Sequence, residues 1–386
     1  MPLTTPRALI ASDSTIARDP RVLKQLRWLA ELGWHVDTLG RGPKSAEAFG
    51  EHYTMPTRPL AARLFAHFLL PNRQRHTVLV DSTIPAELRS PPAQSGYDLV
   101  IVNEIELLPW FVRTHSLLVA ASGHAHLDLH EYSPSQQTGF LYRLVFRRYR
   151  NWLIAFIPSP VFASRSVVAE GIAKLYVALF GFAEPAVVRN APPYVEQDPS
   201  PVDDNHIRLV HHGVASGARA LDLLIDAVAL TDNRFSLELM LVGKAGDIDA
   251  LRKHAKRLGA VVTFRTPVSV HEISRALNEY DIEVIFYPPT SENMRFSLPN
   301  KFFEAVQGRL ALVTGQSPEM AGVIKQYGNG IVVDGWSATD LAAALNKLTA
   351  ENITAMKLAS TIAANDLSSE MEKDRFLAAL GLGEDV

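Results

Sequence analysis

A helix start rich in polar and charged residues is the strongest functional feature of the sequence. The run Leu298-Pro299-Asn300-Lys301-Phe302-Phe303-Glu304 follows an apolar strand pattern and a polar loop. Pro299 suits the start of a helix, whose free amides and dipole attract anions, and Lys301 adds a positive charge. Glu304 lies one turn beyond Asn300, about 6 Å along the axis. This spacing suits a diphosphate on the amides and a ribose diol on the carboxylate, and it equally suits an ordinary capped helix with a solvated glutamate.

A second candidate phosphate site is the turn His211-His212-Gly213-Val214-Ala215-Ser216-Gly217-Ala218-Arg219. Gly213 lets the backbone approach a ligand closely, and Arg219 can hold a phosphate through two parallel hydrogen bonds. A glycine in such a turn also occurs without any ligand. Both turns follow strands of one predicted sheet, so we expect them to face the same site.

Alternating strands and helices must position these turns. In the C-terminal half, apolar runs such as Ile207–His211 and Ile282–Tyr287 alternate with helical patterns such as Asn300–Gln307 and Pro318–Tyr327. Such alternation predicts βαβ units and a parallel sheet.

The N-terminal half alternates in the same way. A strand at 8–12 precedes a helix at Asp19–Leu32, and later patterns predict strands at Leu117–Ala121 and His124–His130 and a helix at Val161–Leu179. The fold class is therefore α/β, with two doubly wound, Rossmann-like domains that face a central cleft.

A segment rich in proline and acidic residues separates the two halves. Pro192–Asn205 contains four prolines and four acids, so it is predicted to be a linker without regular structure. We expect one domain over 1–195, a second over 206–366, and a C-terminal helix over 367–386 that can cross back to the first domain.

Composition narrows the function classes. The chain of 386 residues has 38 basic and 41 acidic side chains, a formal charge of −3 and 47% hydrophobic residues, which describes an ordinary globular protein. The absence of cysteine excludes disulfides, cysteine-ligated metals and thiol nucleophiles. Balanced charge gives no general attraction to nucleic acid, and we expect none as a partner. Neither a signal peptide nor a spanning segment is evident, so we expect a cytoplasmic protein.

Several familiar motifs are absent from the sequence. No Gly-x-Gly-x-x-Gly follows a strand, and Gly243-Lys244 is followed by Ala245, so it is no P-loop. The alternating residues His124, His126, Asp128 and His130 share one strand face and could bind zinc or iron, or they could simply be hydrogen-bonded or solvated. We predict no metal site.

Taken together, the motifs resemble glycosyltransferase family 4, whose members have the GT-B fold. In the C-terminal half the resemblance is carried by Gly213 with Arg219, Leu241-Val242-Gly243, Asp281-Ile282 leading into Tyr287-Pro288, Leu298–Ala305, and Pro318-Glu319-Met320. In the N-terminal half it is carried by Asp19-Pro20-Arg21-Val22, Gly33-Trp34-His35-Val36, Asp128-Leu129-His130-Glu131, and Val188–Pro192. It covers nearly the whole chain.

This resemblance implies a retaining, metal-independent glycosyltransferase that needs no cofactor. It would move a sugar from a nucleotide diphosphate sugar to a glycan, lipid-linked or other acceptor held by the N-terminal domain. The implied donor-binding residues are Gly213, Arg219, Lys244, Leu298, Pro299, Asn300, Lys301 and Glu304. The implied catalytic residues are Glu304, which would hold the ribose hydroxyls, and His130, which would contact the donor sugar.

Two departures from the family pattern keep other functions open. Many relatives carry a pair of glutamates eight residues apart, whereas here the position eight residues before Glu304 is Phe296 and the nearest upstream acid is Glu292. Val214 stands where an arginine is common. The alternatives are a nucleotide-sugar epimerase on the same fold, which needs no acceptor, and a non-catalytic subunit that binds sugar or nucleotide.

Basic residues lie among aromatic and aliphatic ones in two segments of the N-terminal half, Phe140–Phe156 and Arg63–Arg75. This composition suits helices that lie on an anionic membrane, where a lipid-linked acceptor would be found. A surface helix with one core face and extended arginines is the alternative. We therefore expect a membrane surface as a further partner and a peripheral location on its inner face.

Overall fold

Two sheets of parallel strands build the protein, whose computed structural model describes residues 5–47, 50–90, 96–135 and 146–383. The chain divides into two compact units. The first runs to Val188 and includes the chain from Arg375 onward, and the second is Arg189–Asp374.

The first unit contains a seven-stranded parallel sheet with the order β3-β2-β1-β4-β5-β6-β7. Its strands are β1 (Arg7–Thr15), β2 (His35–Arg41), β3 (His52–Thr54), β4 (Tyr97–Asn103), β5 (Val119–Leu129), β6 (Ser164–Val167) and β7 (Ala186–Val187). Its helices are Pro20–Glu31, Leu60–Leu69, Asn72–Leu79, Ala86–Arg89, Leu108–Leu118, Arg147–Ile154 and Glu170–Phe180. The strand order reverses between β1 and β4, the point where doubly wound sheets bind ligands.

The second unit contains a six-stranded parallel sheet with the order β10-β9-β8-β11-β12-β13. Its strands are β8 (Ile207–Val214), β9 (Phe235–Val242), β10 (Val262–Arg265), β11 (Ile282–Ile285), β12 (Ala311–Thr314) and β13 (Gly330–Val332). Its helices are Leu221–Val228, Ala245–Leu258, Ile273–Leu277, Glu292–Arg295, Asn300–Gln307, Pro318–Tyr327, Ala338–Asn346 and Ala350–Asp366. The final helix, Ser369–Ala379, begins in this unit, and its residues from Arg375 onward belong to the first unit. Leu209 and Val210 belong to apolar clusters on opposite faces of the sheet, so both faces are covered. The predicted α/β class with two Rossmann-like sheets is confirmed.

The first helix shows why the local sequence folds as it does. Asp19 accepts hydrogen bonds from the amides of Arg21 and Val22, and Pro20 occupies the first turn. The apolar residues Val22, Leu26 and Leu29 are fully buried. The helix therefore packs on the sheet with Arg21 turned toward the end of β5, where it meets Asp128.

Two predictions for the first unit are wrong. The predicted strands Leu117–Ala121 and His124–His130 form one strand, Val119–Leu129. Gly123 does not interrupt it, because a Cβ there would lie 2.6 Å from the Tyr97 carbonyl oxygen and only glycine allows this close approach to β4.

The predicted helix Val161–Leu179 is instead strand β6 followed by the helix Glu170–Phe180. Ser164 and Ser166 pair with β5, and their hydroxyl groups both hydrogen-bond the buried ring of His126. Sheet pairing therefore overrides the helical spacing of the apolar residues.

The proline-rich segment is bound to the second unit. Val195 donates its amide to Gln307 Oε1 at 3.0 Å, and the buried Arg309 donates to the carbonyl oxygens of Val195 and Gln197 at 2.6 and 3.1 Å. These bonds attach the chain around Val195 to the second unit, which begins at Arg189.

The end of the chain belongs to the first unit. Phe376 is fully buried there, with its ring 5.4 Å from that of Trp28 and 5.7 Å from that of His126. One buried aromatic side chain thus fixes the final helix onto the sheet that carries His126.

Candidate functional site

The two turns identified in the sequence meet at Gly213 and Lys301. Gly213 is the second-last residue of β8 and has φ +125°, and a Cβ there would lie 3.1 Å from Lys301 Nζ. A larger residue would be strained by this backbone angle and would crowd the ammonium group. The glycine therefore allows a buried lysine from the helix Asn300–Gln307 to lie directly beside the turn.

Lys301 is held by a neutral histidine. Its Nζ donates to His211 Nε2 at 2.8 Å, and His211 Nδ1 donates to the Val284 carbonyl oxygen at 2.7 Å. Burial, together with the Lys301 charge, holds the pKa of His211 well below its usual value. The neutral His211 ring therefore accepts a hydrogen bond from the Lys301 ammonium group and does not repel its charge.

Next to it, His212 bridges two carboxylates. Its Nδ1 donates to Glu283 Oε2 at 3.0 Å and its Nε2 donates to Glu304 Oε2 at 2.8 Å. Burial alone would lower the pKa of His212, but Glu283 and Glu304 outweigh it and raise that pKa to about 9. His212 is therefore an imidazolium at neutral pH, and it fixes one oxygen of Glu304.

The buried cluster around Lys301 contains positive and negative side chains that shift one another's pKa. Burial lowers the pKa of Lys301 to about 8. The Glu283 charge acts to raise this pKa, and the Arg219 charge acts to lower it further. Glu283 is completely buried in β11. A buried carboxylate of this kind requires a cation, and His212 supplies it at hydrogen-bonding distance.

Arg219 completes the positive side of the cluster. It ends a short 3-10 turn, Gly217–Arg219, and its guanidinium lies over the Tyr287 ring, 4.8 Å from the centroid. Stacking holds the plane of the guanidinium while leaving its N–H edges available to a ligand. Its charge also acts on the pKa of Lys301.

The remaining donor-binding candidates are more scattered. Leu298 is buried in an apolar cluster, and Pro299 precedes the helix Asn300–Gln307 without a side-chain cap. Asn300 Oδ1 accepts from Asn190 Nδ2 at 3.0 Å. Lys244 is exposed at the start of the helix Ala245–Leu258 and, within the described residues, has no hydrogen bond or ion pair with the buried cluster.

The structure places no acid at the site of the missing first glutamate. Phe296 carries the Arg295 guanidinium over its ring, 5.1 Å from the centroid. Glu292 lies 3.7 Å from the same arginine on the short helix Glu292–Arg295.

His130 lies in the first unit, directly after β5. Its side chain is about one-quarter exposed, and its Nε2 lies 3.1 Å from Asn103 Oδ1 and 3.6 Å from Asp128 Oδ2. Asn103 is buried and also exchanges hydrogen bonds with Gln25. Asn103 and Asp128 therefore orient the His130 ring on its buried side, and one edge of the ring faces solvent.

Behind His130, Asp128 is a fixed buried anion. It accepts two hydrogen bonds from Arg21, at 2.6 and 2.7 Å, one from Gln25 at 2.6 Å and one from Ser166 at 2.7 Å. Burial would raise its pKa, but Arg21 and His130 outweigh burial and hold the pKa of Asp128 well below its usual value.

Three of the four alternating residues, His126, Asp128 and His130, are hydrogen-bonded by side chains from other segments. His126 bonds two serines, Asp128 bonds Arg21, and His130 bonds Asn103. Among the described residues, no three histidine or carboxylate side chains gather as a metal site would require.

A cavity of about 340 Å³ opens beside His130 and is lined by Asp13, Glu104 and Glu106. Burial raises the pKa of Glu104 to about 8, with added repulsion from Glu106 and Asp13. Glu104 also has φ +72°, an unfavourable angle for a residue with a side chain. The fold therefore holds a strained, largely protonated carboxyl group close to His130.

Part of the second unit matches a known family. Residues 207–351, which contain the Gly213, Arg219 and Lys301 cluster, match the family described as Glycosyl transferases group 1. This segment is similar to group 1 glycosyltransferases. The enzyme class predicted from the sequence, a glycosyltransferase, is therefore confirmed.

Solved structures agree with the fold. Sucrose-phosphate synthase from Thermosynechococcus elongatus superposes with a TM-score of 0.70 at 15% identity, covering 96% of each chain. The α,α-trehalose 6-phosphate synthase from Burkholderia multivorans gives 0.66 at 11% identity over 98% of each chain. The Anabaena protein Alr3699/HepE, in complex with UDP and glucose, gives 0.65 at 14% identity over 97% of this chain and 99% of its own.

These glycosyltransferases confirm the GT-B fold across both units of the chain. No curated protein sequence matches it significantly.

The sequence motifs do not point to the charge network of His211, His212 and Glu283, although both histidines belong to the candidate phosphate turn. Glu283 lies within the apolar run Ile282–Tyr287. A carboxylate inside a strand that is buried on both faces needs a buried cation, and this signal could have pointed to the histidine pair that precedes Gly213.

Proposed function

We propose that the protein is a retaining glycosyltransferase with a nucleoside diphosphate sugar as donor and no resident metal. The observation that carries this proposal is the meeting of Gly213, Lys301 and Arg219 at the end of β8, beside the start of the helix Asn300–Gln307. A buried ammonium, a stacked guanidinium and free helix amides together suit a diphosphate. UDP is the proposed nucleotide because HepE binds UDP and glucose.

The proposed reaction forms a bond between an acceptor hydroxyl oxygen and the anomeric carbon of the donor sugar. The bond between that carbon and the diphosphate oxygen breaks, and the hydroxyl proton passes to the departing diphosphate. Lys301 and Arg219 stabilise the charge that develops on this leaving group, because their positions are fixed before the reaction begins.

Glu304 and His130 have separate roles in this proposal. Glu304 binds the ribose hydroxyls through the oxygen that His212 does not hold. His130 contacts the donor sugar, and its orientation is set by Asn103 and the Asp128 anion. Lys244 is exposed and lies outside the buried cluster, so its proposed contribution to diphosphate binding is minor.

The acceptor is a glycan or lipid-linked molecule, and a membrane surface is a proposed partner of the first unit. The helix Leu60–Leu69 buries only Ala66, whereas Phe68 and Leu69 are 61% and 69% exposed. Arg147 and Arg148 are exposed on a neighbouring helix, which contacts Asn72 through the Arg148 carbonyl oxygen. Exposed apolar residues beside arginines suit an anionic bilayer.

Part of the predicted basic segment, 140–145, lies outside the described residues. Within the described residues, none of the helices combines the length and apolarity needed to cross a bilayer.

A screen of donors and products tests the proposal. UDP, GDP and ADP and their glucose conjugates are added to the full chain, and the shift of the thermal transition identifies the nucleotide that binds. The preferred sugar nucleotide is then incubated with and without glycan and lipid-phosphate acceptors, and the products are analysed by NMR.

The proposal predicts an acceptor-dependent product with the anomeric configuration of the donor. Conversion of the donor sugar without an acceptor would establish the epimerase instead. Binding without turnover by any acceptor would establish the non-catalytic subunit.

A further inference from the structure

A cavity of the first unit, away from the Gly213, Arg219 and Lys301 cluster, is lined by several arginines. It has a volume of about 440 Å³, and four arginines line it: Arg41, Arg58, Arg63 and Arg150. Aromatic and apolar side chains, including Phe146 and Tyr149, form the rest of its wall. A cavity of this size can enclose a sugar phosphate or a lipid headgroup.

The charges in this cavity do not cancel. Arg41 is paired with Asp13, at 2.6 Å, and Glu106 offsets Arg150. Arg58 donates only to neutral groups, the Val78 carbonyl oxygen and the Ser82 hydroxyl. Arg63 has no ion pair among the described residues. The cavity therefore keeps two positive charges that no described acid neutralises.

Two buried polar atoms of the wall are also without partners. Tyr149 is 8% exposed, yet its hydroxyl makes no hydrogen bond within the described part of the chain. The same holds for His67 Nδ1. The His67 ring packs edge-on against Phe146 at 4.7 Å and against Tyr149 at 6.3 Å, so both polar atoms are held by packing. Buried groups without partners are uncommon and are satisfied when a polar ligand binds.

This cavity and the cavity beside His130 share Asp13 and Glu106 in their walls. They are therefore neighbours, one lined by arginines and the other by His130 and carboxyl groups. A single acceptor can extend through both, with an anionic end among the arginines and a hydroxyl end near His130.

We propose that the arginine-lined cavity binds a phosphoryl group of the acceptor, with Arg58 and Arg63 supplying charge and Tyr149 and His67 supplying hydrogen bonds. This inference rests on the proposed function, because the acceptor role of the site assumes glycosyl transfer. The phosphoryl group belongs either to a phosphorylated sugar or to a lipid phosphate. Both sources present the same chemistry to the cavity, and the helix Leu60–Leu69, which contributes Arg63 and His67, carries the exposed apolar residues.

The test is direct binding of defined probes to the full chain by titration calorimetry. The probes are glucose, glucose 6-phosphate, inorganic phosphate and dodecyl phosphate. We expect glucose 6-phosphate or dodecyl phosphate to bind at least about tenfold more tightly than glucose. Preference for one of the two phosphorylated probes identifies the source of the phosphoryl group. Equal affinity for glucose and both phosphorylated probes would overturn the inference.

Two variants locate the binding. Arg63→Ala removes an exposed charge, and Tyr149→Phe removes one hydroxyl while keeping the ring. We expect Arg63→Ala to weaken the phosphorylated probe roughly ten- to a hundredfold and Tyr149→Phe to weaken it severalfold. Arg73→Ala is the matched control, because Arg73 is exposed outside this cavity. Affinity that is unchanged in both cavity variants, or reduced equally in the control, would refute the assignment.

Failure of the inference is distinguishable from failure of the proposed function. UDP binding depends on the second unit and is measured separately in the same variants. Binding of a phosphorylated probe without binding of UDP would support the cavity assignment and refute the proposed donor site. Binding of UDP without binding of a phosphorylated probe would support the donor site and refute the cavity assignment.

Discussion

Stability of the second unit should depend on pH through His212. Its pKa of about 9 in the folded chain lies above the ordinary value of 6.5, because Glu283 and Glu304 bind the protonated ring. A group whose pKa is raised by folding stabilises the fold fully below its unfolded pKa and loses that effect as pH rises through its folded pKa. The window therefore runs from about pH 6.5 to about pH 9.

The size of the effect follows from the shift. Each pKa unit corresponds to about 1.4 kcal/mol. The contribution of His212 to the free energy of unfolding therefore approaches roughly 3 kcal/mol at pH 6 and almost vanishes above pH 9. Lys301 acts in the opposite sense, since its lowered pKa of about 8 makes folding more favourable at higher pH. Because the variant and the wild type both contain Lys301, the difference between their free energies of unfolding at each pH removes most of the Lys301 effect.

The perturbation is His212→Gln, which keeps an amide donor and removes the positive charge. Urea unfolding is followed by circular dichroism between pH 6 and pH 9. We expect the variant to be less stable by up to roughly 3 kcal/mol at pH 6 and to approach wild type at pH 9. His254→Gln is the control, because His254 pairs with Asp226 in the same unit, away from the cluster. A deficit that is constant across this pH range would refute the imidazolium bridge.

Three further predictions address the donor cluster, the anion behind His130 and the exposed helix. Lys301→Met should weaken UDP binding at least about tenfold in calorimetry, whereas Lys244→Met should change it much less; equal losses would contradict the assignment of Lys301. Asp128→Asn should destabilise the first unit by about 3–5 kcal/mol, seen as a lower thermal transition, because it leaves the Arg21 charge buried; an unchanged transition would contradict this reasoning. The double variant Phe65→Ser, Phe68→Ser should sediment less with phosphatidylglycerol vesicles than wild type or the control Leu230→Ser, Val270→Ser, which alters exposed apolar residues of the second unit. Unchanged sedimentation would exclude this helix as the membrane contact.

Local signals in the sequence were enough to predict much of the fold. The helices Asn300–Gln307 and Pro318–Tyr327 have the predicted bounds, because proline marks each start and glycine follows each end. The helical spacing at Val161–Leu179 misled, since β6 forms there only when its serines pair with β5. Pairing between distant segments is not encoded in local spacing.

The candidate site was predictable only in part. The meeting of the Gly213 turn with Lys301 follows from strand order, because β8 and β11 are neighbours and both turns follow their carboxyl ends. The charge network of His211, His212 and Glu283 was predictable only as a need for a cation near the buried Glu283. The pairing with His212, 71 residues away, depends on the register of the two strands. The arginine-lined cavity likewise draws its side chains from distant segments.

Calorimetry of UDP binding tests the proposed donor site in the second unit most directly. Arg219→Ala removes the stacked guanidinium and Glu304→Ala removes the carboxylate held by His212. We expect each variant to weaken UDP binding by roughly tenfold or more, while Arg275→Ala, an exposed charge on another helix, leaves it unchanged. Wild-type affinity in both Arg219→Ala and Glu304→Ala would contradict the donor-site assignment.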